Sequence, residues 1–402
     1  MLALFTRHCE RRVLRPTKVK KAKMSGISKA YVGALIHDGQ TLHSSHALVA
    51  GSDGCFSIVP LGAVPVGCPT VALKGGVITA GFIDLQVNGG GGVMFNDDQS
   101  MATLRTIAEA HATTGTAAIL PTLITDTPAR TSAAIDAVER AIAEGVSGVA
   151  GIHLEGPHLS VARKGAHDPN LIRPMDDEDL SVLLTAADRL ANILVTVAPE
   201  NTSLKQIKTL TDAGIVVSLG HTDADMGTCH AAFDAGARCV THLFNAMSQL
   251  TSREPGLVGA TLSRGDVYAS LIADAIHVHP STINVALVAK PQSDRIFLVT
   301  DAMATAGSMI DHFTLNGRDV FRKDNRLRLA DGTLAGADLA IPRAVSVMMD
   351  LVGDDMATAL SRATSTPASL LRQRSDFGRI ASGCRSVMYF GSDMSEPTVF
   401  KG

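Results

Sequence analysis

The sequence predicts an α/β fold, a (β/α)8 TIM-like barrel carrying a small β-sandwich domain built from both chain ends. Three observations predict it. The middle of the chain alternates short, apolar, β-branched runs with helix-like stretches. Eight such runs occur there. Further β-type runs occupy both ends, outside the alternating part. Alternation of strand and helix is the pattern of a parallel sheet covered by helices, and eight repeats are the number that closes a barrel.

The 402 residues suffice for one barrel and an accessory domain. The expected organisation runs as follows. Residues 1–23 crowd Arg7, Arg11, Arg12, Arg15, Lys18, Lys20, Lys21 and Lys23 around a single acid, Glu10. No apolar stretch or cleavage-like site follows, so neither a transit peptide nor a twin-arginine export signal fits. The segment reads as a disordered extension, with Met24 as an alternative start. Residues 24–79 and 372–402 form the small β domain, marked by "FSIVPLGAV" and "PTVAL" before the barrel and "RSVMYF" and "EPTVF" after it. The barrel spans 80–371. Its strands are expected at 81–87, 117–123, 149–155, 192–198, 214–220, 238–243, 269–274 and 296–301. Near-continuous apolar runs suit strands buried on both faces. "SMATLRTIAEAHATTG" and "TSAAIDAVERAIAEG" read as helices that end in Gly before the next strand.

Composition narrows the function. Hydrophobic residues make up 46% and charged residues 19%, an ordinary globular balance. A net charge of -3 gives neither a nucleic-acid binder nor a membrane-surface protein. The six cysteines are scattered and form no CxxC pair, which suits a reducing cytoplasm. No apolar run reaches the length of a membrane-spanning helix.

Ionisable residues gather where the strands end, the face on which barrels carry their active sites. The third run ends in His153-Leu154-Glu155, the fifth in Gly220-His221, and the sixth in Thr241-His242. The seventh runs through Asp274 to His277, and the eighth ends at Asp301. Burying such groups costs several kcal/mol each unless they share partners or a metal. Glu155, His221 and His242 make a two-nitrogen, one-oxygen set, the chemistry of an open catalytic zinc site. Fe2+, Co2+ or Mn2+ would also accept it. Asp301 is the candidate base for the attacking water, an N-cap of a following helix being its bland alternative.

"GFIDLQVNGGGG", "HLEGPHL", "SLGHTDAD", "THLFNAM", "IADAIHVHP", "LVTDAMATAG" and "LAGADLA" occur in this order. Together they resemble the N-acetylglucosamine-6-phosphate deacetylase family of the amidohydrolase superfamily, over about residues 81–370. The resemblance implies one divalent metal per subunit on Glu155, His221 and His242, zinc first, and Asp301 as general acid and base. It implies that His277 binds the substrate carbonyl and stabilises the oxyanion. It puts His167 in the sugar site, Asn245 and Ala246 on the phosphate, and Arg253 on the phosphate of the neighbouring subunit. The implied assembly is therefore a homodimer, and the implied substrate is a small sugar phosphate in amino-sugar use or cell-wall recycling.

Gln86 and Asn88 stand where many amidohydrolases carry His-x-His after the first strand. Neutral amides are weak ligands, so one metal is expected rather than two. His153 reads as a partner behind the ligands. His279 has no assigned role, and the tail "GRIASGCRSVMYF" departs from the superfamily's usual return strand. Two other readings stand beside this one. The first is an amidohydrolase for another N-acetylated sugar phosphate, such as N-acetylgalactosamine 6-phosphate. The second is a non-catalytic sugar-phosphate binder, which has no need of Asp301.

Overall fold

Eight parallel strands form one continuous sheet in chain order. They run Phe82–Val87, Thr116–Ile124, Ile152–Glu155, Ile193–Val197, Val216–Leu219, Cys239–Val240, Tyr268–Leu271 and Ile296–Leu298. The computed structural model describes residues 26–372, 377–381, 383–384, 386–392, 394 and 397–401. The basic extension expected over 1–23, and Met24, lie outside them. Each pair of neighbouring strands is hydrogen-bonded in parallel, so Ile124, Glu155 and Thr196 lie side by side at one end. The ring closes between its first and last strands through single backbone bonds. Asp301 N–H donates to the Gln86 carbonyl at 3.0 Å, and Asn88 N–H to that of Ala302 at 2.9 Å.

Helices join the strands because the intervening sequence carries apolar stripes and capping residues. In Met101–Ala112 the buried side is Leu104, Ile107, Ala108 and His111, and Ser100 caps Thr103 N–H. Asp176 and Asp179 form a reciprocal capping box at the start of Asp177–Arg189, and Ser203 and Gln206 do the same for Leu204–Asp212. His279 also finds its place here. Its side chain accepts from Ser281 N–H and caps the helix Pro280–Ala289.

Both ends of the chain meet in two small sheets. One holds Phe56–Pro60, His46–Gly51, Ile27–Val32 and Thr70–Ala72. The other holds Thr398–Lys401, Ser386–Phe390, Val77–Thr79, Leu35–His37 and Leu42–His43. They share one apolar core, with Tyr31, Ile36, Leu48, Phe56, Ile78 and Val387 in it.

One element is absent from the sequence expectations. After the eighth strand, residues 312–337 fold into a four-stranded antiparallel meander. Its strands are His312–Leu315, Arg318–Lys323, Arg326–Leu329 and Leu334–Ala337. Phe313, Leu315, Val320, Leu327 and Leu329 pack with Met94, Ile124 and Met303, so the meander sits over the strand ends. Its last strand touches the end of the eighth barrel strand, where Ala337 N–H donates to the Asp301 carbonyl at 3.0 Å. Gly336 permits that approach, because a Cβ there would lie 2.7 Å from the same carbonyl oxygen. No helix among the described residues is long and apolar enough to cross a membrane.

Candidate active site

The strand ends and the meander enclose a cavity of about 410 Å³. Glu155, His221, His242, His277, Asp301, His167, Asn245 and Ala246 all line it. Eight of the nine residues singled out from the sequence therefore meet in one place. Arg253 is the exception. It lies exposed on the loop after the sixth strand, outside the lining, and among the described residues no hydrogen bond or ion pair reaches it.

Several residues at and beside the cavity share a backbone feature. His221 (φ 48°), His242 (φ 32°), Phe244 (φ 79°), Ala246 (φ 48°), Ala275 (φ 62°) and Asp301 (φ 52°) all adopt left-handed backbone where the chain leaves a strand. Left-handed backbone is costly for side chains bearing a Cβ, and such residues cluster at functional sites.

Glu155, His221 and His242 are buried, and their donor atoms lie within 4.8 Å of one another. Glu155 Oε1 sits 3.2 Å from His221 Nε2 and 3.0 Å from His242 Nε2, and the two Nε2 atoms are 3.1 Å apart. The Nδ1 of His221 lies 2.8 Å from the Arg163 carbonyl, which only an N–H can satisfy. In neutral His221 the lone pair is then on Nε2, facing a carboxylate oxygen. Converging lone pairs in a buried place call for a cation, so the donor set fits a metal ion. Burial works to raise the Glu155 carboxyl, but the two imidazoles hold it well below its usual value.

Asp301 shares this end of the barrel. It is no helix cap: its Oδ1 accepts from Asn88 Nδ2 at 2.7 Å and from Gln86 Nε2 at 3.2 Å. Gln86 Nε2 also reaches both Glu155 oxygens, each at 3.2 Å. The two amides thus bind the carboxylates as donors. Burial, followed by the nearby Glu155 charge, pushes the Asp301 carboxyl up to about 6.

Two imidazoles border the rest of the cavity. His167 Nδ1 accepts from Thr125 N–H at 3.3 Å and lies 2.8 Å from its hydroxyl, so a neutral ring carries its hydrogen on Nε2. Burial, with His221 beside it, lowers His167 to about 3. His277 Nδ1 lies 2.6 Å from Asp274 Oδ2. His153 is buried below this layer, 2.8 Å from the Thr196 hydroxyl. Sequence reasoning did not assign roles to Asp274 or to the Arg163 carbonyl. The Asp-x-x-His spacing could have suggested the first; a backbone carbonyl leaves no sequence signal.

Residues 77–386 match the Amidohydrolase family. The chain belongs to that family. This amidohydrolase is 44% identical over 315 residues to an N-acetylgalactosamine-6-phosphate deacetylase from Shewanella, covering 78% of this chain and 79% of the relative. It is 33% identical over 357 residues to an N-acetylglucosamine-6-phosphate deacetylase from Haemophilus influenzae, covering 88% and 92%. Its fold superposes on the crystal structure of N-acetylglucosamine-6-phosphate deacetylase from Pasteurella multocida with a TM-score of 0.86 at 33% identity. That match covers 93% of this chain and all of the other.

Proposed function

We propose that this amidohydrolase hydrolyses the acetamide of N-acetyl-D-glucosamine 6-phosphate to D-glucosamine 6-phosphate and acetate, in amino-sugar catabolism or cell-wall recycling. The observation that carries the reading is one cavity in which Glu155, His221 and His242 converge beside Asp301 and His277. A divalent ion held by the three would acidify a water and polarise the amide carbonyl. Zinc suits the donor set, with one ion per subunit because Gln86 and Asn88 are spent on the carboxylates. Asp301 takes a proton from water as its oxygen adds to the carbonyl carbon. It then delivers that proton to the sugar nitrogen as the C–N bond breaks. His277 meets the carbonyl oxygen, on which negative charge develops. His167 offers Nε2–H to the sugar, and Asn245 with the backbone at Ala246 meets the phosphate. Arg253, which is exposed and outside the lining of its own cavity, completes the phosphate site of a partner in a cytoplasmic homodimer.

A second reading keeps the chemistry and changes the sugar. The 44% identity to an N-acetylgalactosamine-6-phosphate deacetylase favours N-acetylgalactosamine 6-phosphate. Acetate release from the two epimers, measured side by side on protein with its metal quantified, separates the readings. The expected result is about one metal per chain and a higher kcat/KM on the gluco epimer. A preference for the galacto epimer selects the second reading. No acetate from either, with metal bound, rejects both.

A further inference from the structure

If His277 meets the carbonyl oxygen, as proposed above, its Nε2 must carry a hydrogen. The surroundings of the ring determine when it does. Asp274 is buried at the end of the seventh strand. Its Oδ1 accepts the backbone N–H groups of Ile276 at 2.8 Å and His277 at 2.7 Å, and its Oδ2 lies 2.6 Å from His277 Nδ1. Burial opposes the Asp274 charge, but the ring and the two amides outweigh it and hold the carboxyl below its usual value. An ionised acceptor at that distance requires a hydrogen on Nδ1. A neutral imidazole has only one N–H. Neutral His277 would therefore turn a lone pair toward the carbonyl oxygen, acceptor against acceptor.

We propose that Asp274 is a positioning residue that keeps His277 as the imidazolium, so that Nε2–H is a charged donor to the oxyanion. His277 keeps both hydrogens throughout, and the transferred proton travels on Asp301 alone. Asp274 and His277 are hydrogen-bonded to none of Glu155, His221 and His242 among the described residues. The titratable and charged groups that share the cavity with His277 are Asp301, Glu155, His221, His242, His167 and Arg163. His279 is two residues away, and its Nδ1 accepts from Ser281 N–H.

The test uses metal-loaded protein and the 15N resonances of the His277 ring across pH. Both nitrogens should be protonated at pH 7 in the wild type. In Asp274→Asn, which keeps the shape and loses the charge, the ring should be neutral. In kinetics, Asp274→Asn should lower kcat about 10²-fold, with a smaller effect on KM and unchanged metal content. The alkaline limb of kcat/KM should move down by about one pH unit or more. Asp274→Glu should recover part of the loss. A neutral His277 at pH 7 in the wild type, or an alkaline limb unmoved in Asp274→Asn, overturns the proposal. Should the variant not fold, the wild-type spectrum decides alone. The spectrum needs no turnover, so it separates failure of this dyad from failure of the deacetylase reading.

Discussion

Asp301 has a structural place and, on the proposed reading, a chemical one. Its backbone joins the ring and the meander, while its carboxylate lines the cavity. Asp301→Asn preserves the shape and removes the proposed base, so kcat should fall by roughly 10² to 10⁴ with metal still bound. A base works only when ionised, and burial lifts this carboxyl to about 6. Activity should therefore decline as pH falls through about 6. The Asn88 hydrogen bond favours the ionised form, so Asn88→Ala should move that acid limb to higher pH. An unmoved limb would assign it to another group. Glu155, His221, His242 and Asp301 were legible because each is an ionisable side chain at the end of an apolar run, whereas His167, Asn245 and Ala246 came only from the family resemblance. The supports behind the site were less legible. The Arg163 carbonyl that orients His221 and the amides that fix Asp274 belong to the backbone, on which side-chain chemistry gives no information.

All eight barrel strands were readable as apolar runs, but their ends were not. The sixth spans only Cys239–Val240, where 238–243 was expected, because the chain turns left-handed at His242. The meander went unread although its turns are written in Asn316-Gly317 and Asp324-Asn325. All four residues have positive φ, the signature of tight hairpin turns. The eighth strand was expected at 296–301, with no element assigned between there and the end of the barrel. Leu315, Thr333, Leu334 and Gly336 of this element line the cavity. Val320, on the second strand of the meander, is fully buried in the core that seats it. Val320→Asp should therefore unseat the meander, raising KM by about tenfold or more while the barrel unfolds cooperatively with its metal in place. Unchanged KM would make the meander a bystander.

For the molecule as a whole, Arg253 is exposed, and if it completes a partner's phosphate site, as proposed, activity is a property of the assembly. Arg253→Ala should weaken phosphorylated substrate through KM far more than unphosphorylated N-acetylglucosamine. Mixing Arg253→Ala chains with Asp301→Asn chains should restore activity, because one site in each mixed dimer then holds both intact residues. No rescue in demonstrated heterodimers places Arg253 in its own subunit's site or in none. The way the ring closes has a further consequence, for the order in which the enzyme matures. Glu155, His221 and His242 sit on the third, fifth and sixth strands, within an unbroken run of paired neighbours. Asp301 reaches Gln86 and Asn88 only across the join between the last strand and the first. On the proposed reading, a refolding chain should capture its ion before the join forms and gain activity only afterwards. With Co2+ as a coloured probe, the absorption of the bound ion should appear ahead of acetate release. Simultaneous recovery would mean that the ion waits for the finished ring.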